Sequence, residues 1–133
     1  RPATRFVASF IGDTNLLEGR VICRDGEDLV VESHGLRIRT AGGHQREEGS
    51  VAISLRPEKV KLGKPLADGT LANRFDARIA SATFIGSVLR YEVVMGGGLK
   101  LNVQTPNDAG HIWREGDEVQ VGWAKESCVL LSE

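Results

Sequence analysis

Aromatic residues, cysteine, long apolar runs and an excess of either charge are all scarce in this sequence. Aromatics make up 5% of its 133 residues, and there are two cysteines. Lysine and arginine total 17 against 18 aspartates and glutamates, a formal net charge of −1. A chain so near neutrality lacks the positive field that draws proteins to phosphate backbones or anionic lipid. Few aromatics also means few platforms for stacking single-stranded bases. Apolar runs such as Val129-Leu130-Leu131 fall far short of the ~18 residues a membrane-crossing helix needs. Cys23 and Cys128 have no second cysteine or histidine at metal-ligand spacing, so the expectation is two small buried thiols in a reduced compartment. What remains, 41% hydrophobic and 26% charged, is the balance of an ordinary globular domain, with room for one unit or two very small barrels sharing a core.

Most apolar residues recur with a period of two, the pattern of strands with one buried face. Ahead of that pattern, Phe6, Val7, Phe10 and Ile11 form one stripe of a short helix that Gly12 stops. Leu17, Gly19, Val21 and Cys23 then alternate with Glu18, Arg20 and Arg24, and Asp25-Gly26 marks a tight hairpin. Leu29-Val30-Val31, a turn at His34-Gly35, and Leu36, Ile38 and Thr40 complete a meander. Val51, Ile53 and Leu55 form another strand, ended by Pro57, which has no amide hydrogen for a ladder. The stretch 63–69, with Pro65 inside it, reads as an internal joint. Beyond it a long strand begins at Phe75, with a bulge expected near residues 82–84. Leu89, Tyr91, Val93 and Met95 pair across Gly96-Gly97-Gly98 with Leu99, Leu101 and Val103. Val119, Val121 and Trp123, then residues 128–131, supply two closing strands.

Short strands at intervals of roughly 8–12 residues predict an all-β fold. The expected architecture is two small OB-like barrels with a short N-terminal helix. Residues 1–14 would be a helical seam from an upstream domain, 15–62 the first barrel and 63–133 the second, with the closing strands open to either. Phe10-Ile11-Gly12 recurs as Phe84-Ile85-Gly86. That echo reads as coincidence, because the first copy sits on a helix and the second at a strand end.

No catalytic constellation is present. The chain has no G-x-x-x-x-G-K-[ST] phosphate cradle, no G-x-G-x-x-G and no G-x-S-x-G nucleophile elbow. His34, His44 and His111 lie in or beside turns, each isolated from other metal-binding residues, and read as solvated loop histidines. Glu47-Glu48 and Asp117-Glu118 are adjacent pairs, and neighbours on an extended chain point to opposite faces. Phe75, Phe84, Tyr91 and Trp123 fall at or near core-facing positions, which leaves Trp113, beside Arg114, as the candidate exposed aromatic. Arg37 and Arg39 share the outward face of one short strand, a small positive patch rather than a groove. No catalytic, cofactor-binding or metal-binding residue is expected.

Several ordered motifs remain: Arg5-Phe6-Val7-Ala8-Ser9-Phe10-Ile11-Gly12-Asp13-Thr14-Asn15, then Leu55-Arg56-Pro57-Glu58-Lys59-Val60, Phe84-Ile85-Gly86 with Tyr91 following, residues 116–123 ending in Trp123, and 128–131. Together they resemble the transport-associated OB (TOBE) region of ATP-binding-cassette importer ATPases, and are more similar to the polyamine, iron and small-solute branch than to the maltose branch. The resemblance covers nearly the whole chain. It makes residues 6–15 the seam leaving a nucleotide-binding domain, Arg56, Pro57 and Glu58 the family's R-P-E turn, and Trp123 the aromatic of the last barrel. Read from the residues alone, R-P-E is a strand-ending proline with Arg56 and Glu58 free to pair, and Asn15 fixes a turn. The resemblance implies a regulatory and dimerising module, not itself an enzyme, in a subunit whose ATP and Mg chemistry lies upstream. Its implied partners are a second ATPase subunit, the importer's permease and a small-molecule or protein regulator, at the cytoplasmic face of the inner membrane, with no nucleic acid. Two other readings stay open: a free-standing OB-like module for an oxyanion such as molybdate, and a single-stranded nucleic-acid binder.

Overall fold

The computed structural model describes residues 14–41, 49–107 and 110–132. The alternating segments form β1 (Asn15–Asp25), β2 (Asp28–Ser33), β3 (Leu36–Thr40) and β4 (Gly49–Leu55). After them come β5 (Lys61–Gly63), β6 (Asn73–Ile85), β7 (Val88–Met95), β8 (Lys100–Pro106), β9 (Glu118–Trp123) and β10 (Val129–Ser132). Short 3-10 turns at Pro57–Lys59 and Lys125–Ser127 precede β5 and β10, and a third, Gly96–Gly98, joins β7 to β8. The strands make two five-stranded sheets, in the orders β10-β4-β1-β2-β3 and β5-β9-β6-β7-β8, and all their pairings are antiparallel. The all-β, OB-like expectation agrees with this architecture. The expected N-terminal helix and His44 lie outside the described residues.

The two sheets are copies of one plan. Replacing β1, β2, β3 and β4 by β6, β7, β8 and β9 turns the first order into the second, with β10 and β5 in corresponding places. The fifth strands are therefore exchanged: β10 completes the sheet begun at β1, and β5 the sheet begun at β6. Register confirms the correspondence. β1 slips against β2 between Val21 and Cys23, and β6 slips against β7 between Ile79 and Ser81, so the two bulges are equivalent. The repeat lies in strand order and register and is not carried by the Phe-Ile-Gly echo.

Side chains from both sheets meet in one hydrophobic cluster that includes Leu17, Val31, Ile38, Ile53, Tyr91, Val103 and Trp123. Three expectations are corrected. The bulge in β6 lies before Ser81, not at residues 82–84. The equivalent bulge in β1 takes Cys23 out of the buried register, so that thiol is exposed while Cys128 is buried. Phe84 and Ile85 are 59% and 51% exposed, because β6 runs past the end of its neighbour β9.

The turns at the two matched positions touch. His34 adopts φ 54 in the β2–β3 turn, and Gly97, at φ 72 in the β7–β8 turn, lies so close to the His34 carbonyl that a Cβ would collide with backbone. Gly98 has φ 78 but nothing within 4 Å of a Cβ. Gly98→Ala should therefore cost only the left-handed penalty of about 1–2 kcal/mol. Gly97→Ala adds a backbone clash and should cost about 1–3 kcal/mol more, read as a lower urea midpoint at unchanged slope.

Candidate functional site

Two buried asparagines, Asn15 and Asn73, join the sheets. Asn15, the first residue of β1, donates from Nδ2 to the Asn102 carbonyl at 2.9 Å and accepts at Oδ1 from the Asn102 amide at 2.8 Å. The same Nδ2 donates to the Leu55 carbonyl at 3.0 Å. Asn73, the first residue of β6, repeats the device in the other direction: its Oδ1 accepts from the Arg39 amide at 2.8 Å and its Nδ2 donates to the Arg39 carbonyl at 2.9 Å. A carboxamide has the donor and acceptor geometry of a peptide group, so each asparagine acts as one more residue of ladder against the edge strand of the opposite sheet. Asn15 thus lies in a strand and fixes a seam between sheets, not a turn. Asn73, its counterpart, carries the same role and is missing from the motifs read in the sequence.

Arg39 is held by its side chain as well. Its guanidinium meets Asp25 Oδ2 at 2.8 Å and Asp28 Oδ2 at 3.3 Å, and Lys125 Nζ reaches the same Asp28 oxygen at 2.8 Å. Lys125 sits in the turn that delivers β10, so the pair fastens the exchanged strand to the β1–β2 hairpin. The hydrogen bond from Lys125 is the chief cause that holds the Asp28 carboxyl below its usual range. The Asp25 and Asp28 carboxylates in turn raise Arg39. The expected outward patch of Arg37 and Arg39 is therefore half neutralised.

The R-P-E turn is built as the residues suggest. Arg56 Nε lies 3.0 Å from Glu58 Oε2, both side chains about half exposed at 53% and 46%, and Pro57 is buried at the first position of the 3-10 turn. Glu58 is lowered first by its own backbone amide and then by Arg56. At this exposure the pair contributes only ~0–1 kcal/mol, and the proline does the structural work. Trp123 is wholly buried in β9, its ring centroid 5.5 Å from that of Phe75. The indole nitrogen has no conventional partner, and the Cys128 thiol beside it is only a weak acceptor. Burial pushes that thiol up to about 11.

Two of the surface hollows are lined by described residues. A cleft of about 540 Å³ is lined by Glu58, Lys61, Tyr91, Gln104, His111 and Trp113 among others. In it the Tyr91 hydroxyl accepts from the Trp113 amide at 2.9 Å, and His111 stands edge-on to the Trp113 ring at 4.3 Å. Trp113 is thus half-buried against the core and does not form the exposed platform expected. A second groove of about 680 Å³ is lined by Lys64, Asp76, Arg78, Glu118 and Gln120 with apolar neighbours. Neither hollow assembles a nucleophile with a base, and no group of three potential metal ligands occurs among the described residues.

Replacing either Asn15 or Asn73 by leucine strands buried backbone donors and acceptors, and each substitution should destabilise the chain by about 2–4 kcal/mol in urea titrations. Lowered in the fold, Asp28 contributes stability that is present above the unfolded carboxylate value of ~3.9 and lost as pH falls through the folded value. Melting temperature should therefore drop more steeply below about pH 4 in the native chain than in Asp28→Asn. Iodoacetamide at mildly alkaline pH should label one thiol, Cys23, until the chain is unfolded.

The family model of the TOBE domain matches residues 53–131. Across its whole length the chain is 32% identical to a protein of Trichormus variabilis named spermidine/putrescine import ATP-binding protein PotA, covering 36% of that protein. Against the PotA protein of Rubrobacter xylanophilus identity is 35% over 98% of the chain and 34% of the relative. The chain thus spans about a third of the length of the curated relatives it matches. Among solved structures, the cytoplasmic molybdate-binding protein ModG superposes with a TM-score of 0.70 at 12% identity, over 87% of this chain and 94% of that one. At that identity the likeness is one of fold. With two OB-like sheets, a buried inter-sheet seam and a matching family model over more than half its length, this chain belongs to the TOBE domain family.

Proposed function

We propose that this domain is the regulatory and dimerising module of the ATP-binding subunit of an ABC-type importer for polyamines or a related small solute. The observation that carries this reading is the alignment of the entire chain with PotA proteins at 32% identity while covering only 36% of them. The larger, unaligned part of such a subunit is where ATP and Mg would be held and hydrolysed. This domain would act mechanically, at the cytoplasmic face of the inner membrane, holding two ATPase subunits together through the nucleotide cycle and coupling them to the permease. The double asparagine seam supports that role. A module that transmits force between subunits must move as one body, and buried, hydrogen-bonded carboxamides bind the two sheets into one.

The test compares the parent subunit with and without residues 15–133 in cells lacking their own polyamine importer. The full subunit should restore uptake of labelled spermidine or putrescine. Without the domain, the subunit should retain MgATP hydrolysis but lose its coupling to uptake, and the isolated domain should turn over no ATP. Turnover by the isolated domain, or undiminished uptake in its absence, would overturn the reading.

A further inference from the structure

The β6–β7 hairpin departs from the internal repeat in one respect. The β1–β2 hairpin closes at the pair Asp25 and Asp28, whose counterparts in the second sheet are the paired Thr83 and Arg90. The second hairpin continues past that point through the pairs Phe84–Leu89 and Ile85–Val88. Phe84 and Ile85, among the most exposed large apolar side chains of the described residues, sit in this extension.

The outer edge of the same strand is bare among the described residues. β9 pairs with β6 only as far as Arg78 and Glu118, with Ile79 still bonded to Asp117 and Gly116. Among the described residues no second strand lies alongside β6 from Ser81 to Ile85, and every residue from 81 to 87 is exposed. Sheet edges are ordinarily guarded by charge, proline or a covering element. Here residues 79–89 contain no charged residue and no proline, the longest uncharged run in a chain that is 26% charged.

We propose that this edge is a two-fold contact between two copies of the chain, formed by antiparallel pairing of residues 81–85 about Thr83. In a two-residue hairpin the flanking pair, Ile85 and Val88, turns its amides inward, so the alternate residues Phe84 and Ala82 turn theirs away from β7. A two-fold axis at Thr83 sets Phe84 opposite Ala82 of the partner subunit, and Ala82 opposite Phe84 of the partner subunit. The outward amides then fall into hydrogen-bonded register. Large meets small in both pairs, and an edge without charge meets its own copy without repulsion. Phe84 and Ala82 share a face with their cross-strand neighbours Leu89 and Tyr91, both buried, so the contact extends the core surface across the axis. An edge of five residues buries far less than a stable dimer needs. It therefore suits a contact between subunits already brought together by another domain, and in that sense the proposal rests on the dimer reading above.

The test uses the parent ATP-binding subunit with its exposed thiols, Cys23 among them, replaced by serine, which leaves Cys128 buried, and adds Thr83→Cys. Residues facing each other in a non-hydrogen-bonded antiparallel pair lie about 4.5 Å apart at Cα, within disulfide reach. Under mild oxidation a covalent dimer should form about tenfold faster than in a Thr70→Cys control, as expected for thiols held at high effective concentration. Adding Phe84→Lys should abolish the excess while leaving the melting temperature unchanged, since Phe84 is exposed. Cross-linking no faster than the control, or an excess that survives Phe84→Lys, would overturn this contact. A dimer that forms by another face would remove this edge yet leave the dimer reading standing, and the uptake comparison fails or succeeds independently of either result.

Discussion

Everything in this domain depends on what becomes of two sheet edges. β3 and β8 are the outer strands of their sheets, and each meets the buried asparagine that begins the first strand of the other sheet. Left unpaired, the backbone groups met there would cost about as much as a core substitution. The fold meets the problem with a single side chain on each side, a carboxamide that stands in for the missing peptide group. Because the donors and acceptors must coincide, these contacts fix the relative position of the sheets in a way that apolar packing, which tolerates sliding, does not. The Arg39 ion pairs and the Lys125–Asp28 contact act on the same corner from the surface.

Much of the fold was legible because half-buried antiparallel strands write themselves in alternation. The meander, the hairpin across Gly96–Gly98 and the strand ended by Pro57 all follow from periodicity and turn residues. The bulges were harder. A one-residue slip reverses which side chains face inward, and so Cys23, placed inside by simple alternation, lies outside. Phe84 misled for another reason: an apolar residue is covered only where its strand is flanked, and β9 stops short of this end of β6. The internal repeat left almost no trace in residue identity, since two sheets can share order and register while filling their cores with different apolar side chains. Asn15 stood in a motif but with the wrong role, and Asn73 in none. A lone asparagine at a strand start gives no hint of a partner in the opposite sheet.

The R-P-E turn shows how a motif can mark structure more than chemistry. Its proline ends β4 and seats a 3-10 turn that leads the chain from one sheet into the other, and the charged pair stays at the surface. The counterpart turn at Lys125–Ser127 does the same work for β10 without proline, and there the anchoring falls to Lys125. Similar backbone geometry is thus reached by different means in the two halves.

The exchange of β5 and β10 bears on how such a domain is made. As the chain leaves the ribosome, β1 to β4 emerge early, yet their sheet keeps β4 as an open edge until residues 129–132 arrive. The second sheet has its fifth strand in hand before its first has been synthesised. Neither half can reach its final form alone, and a product truncated before β10 is left with β4 as an open edge.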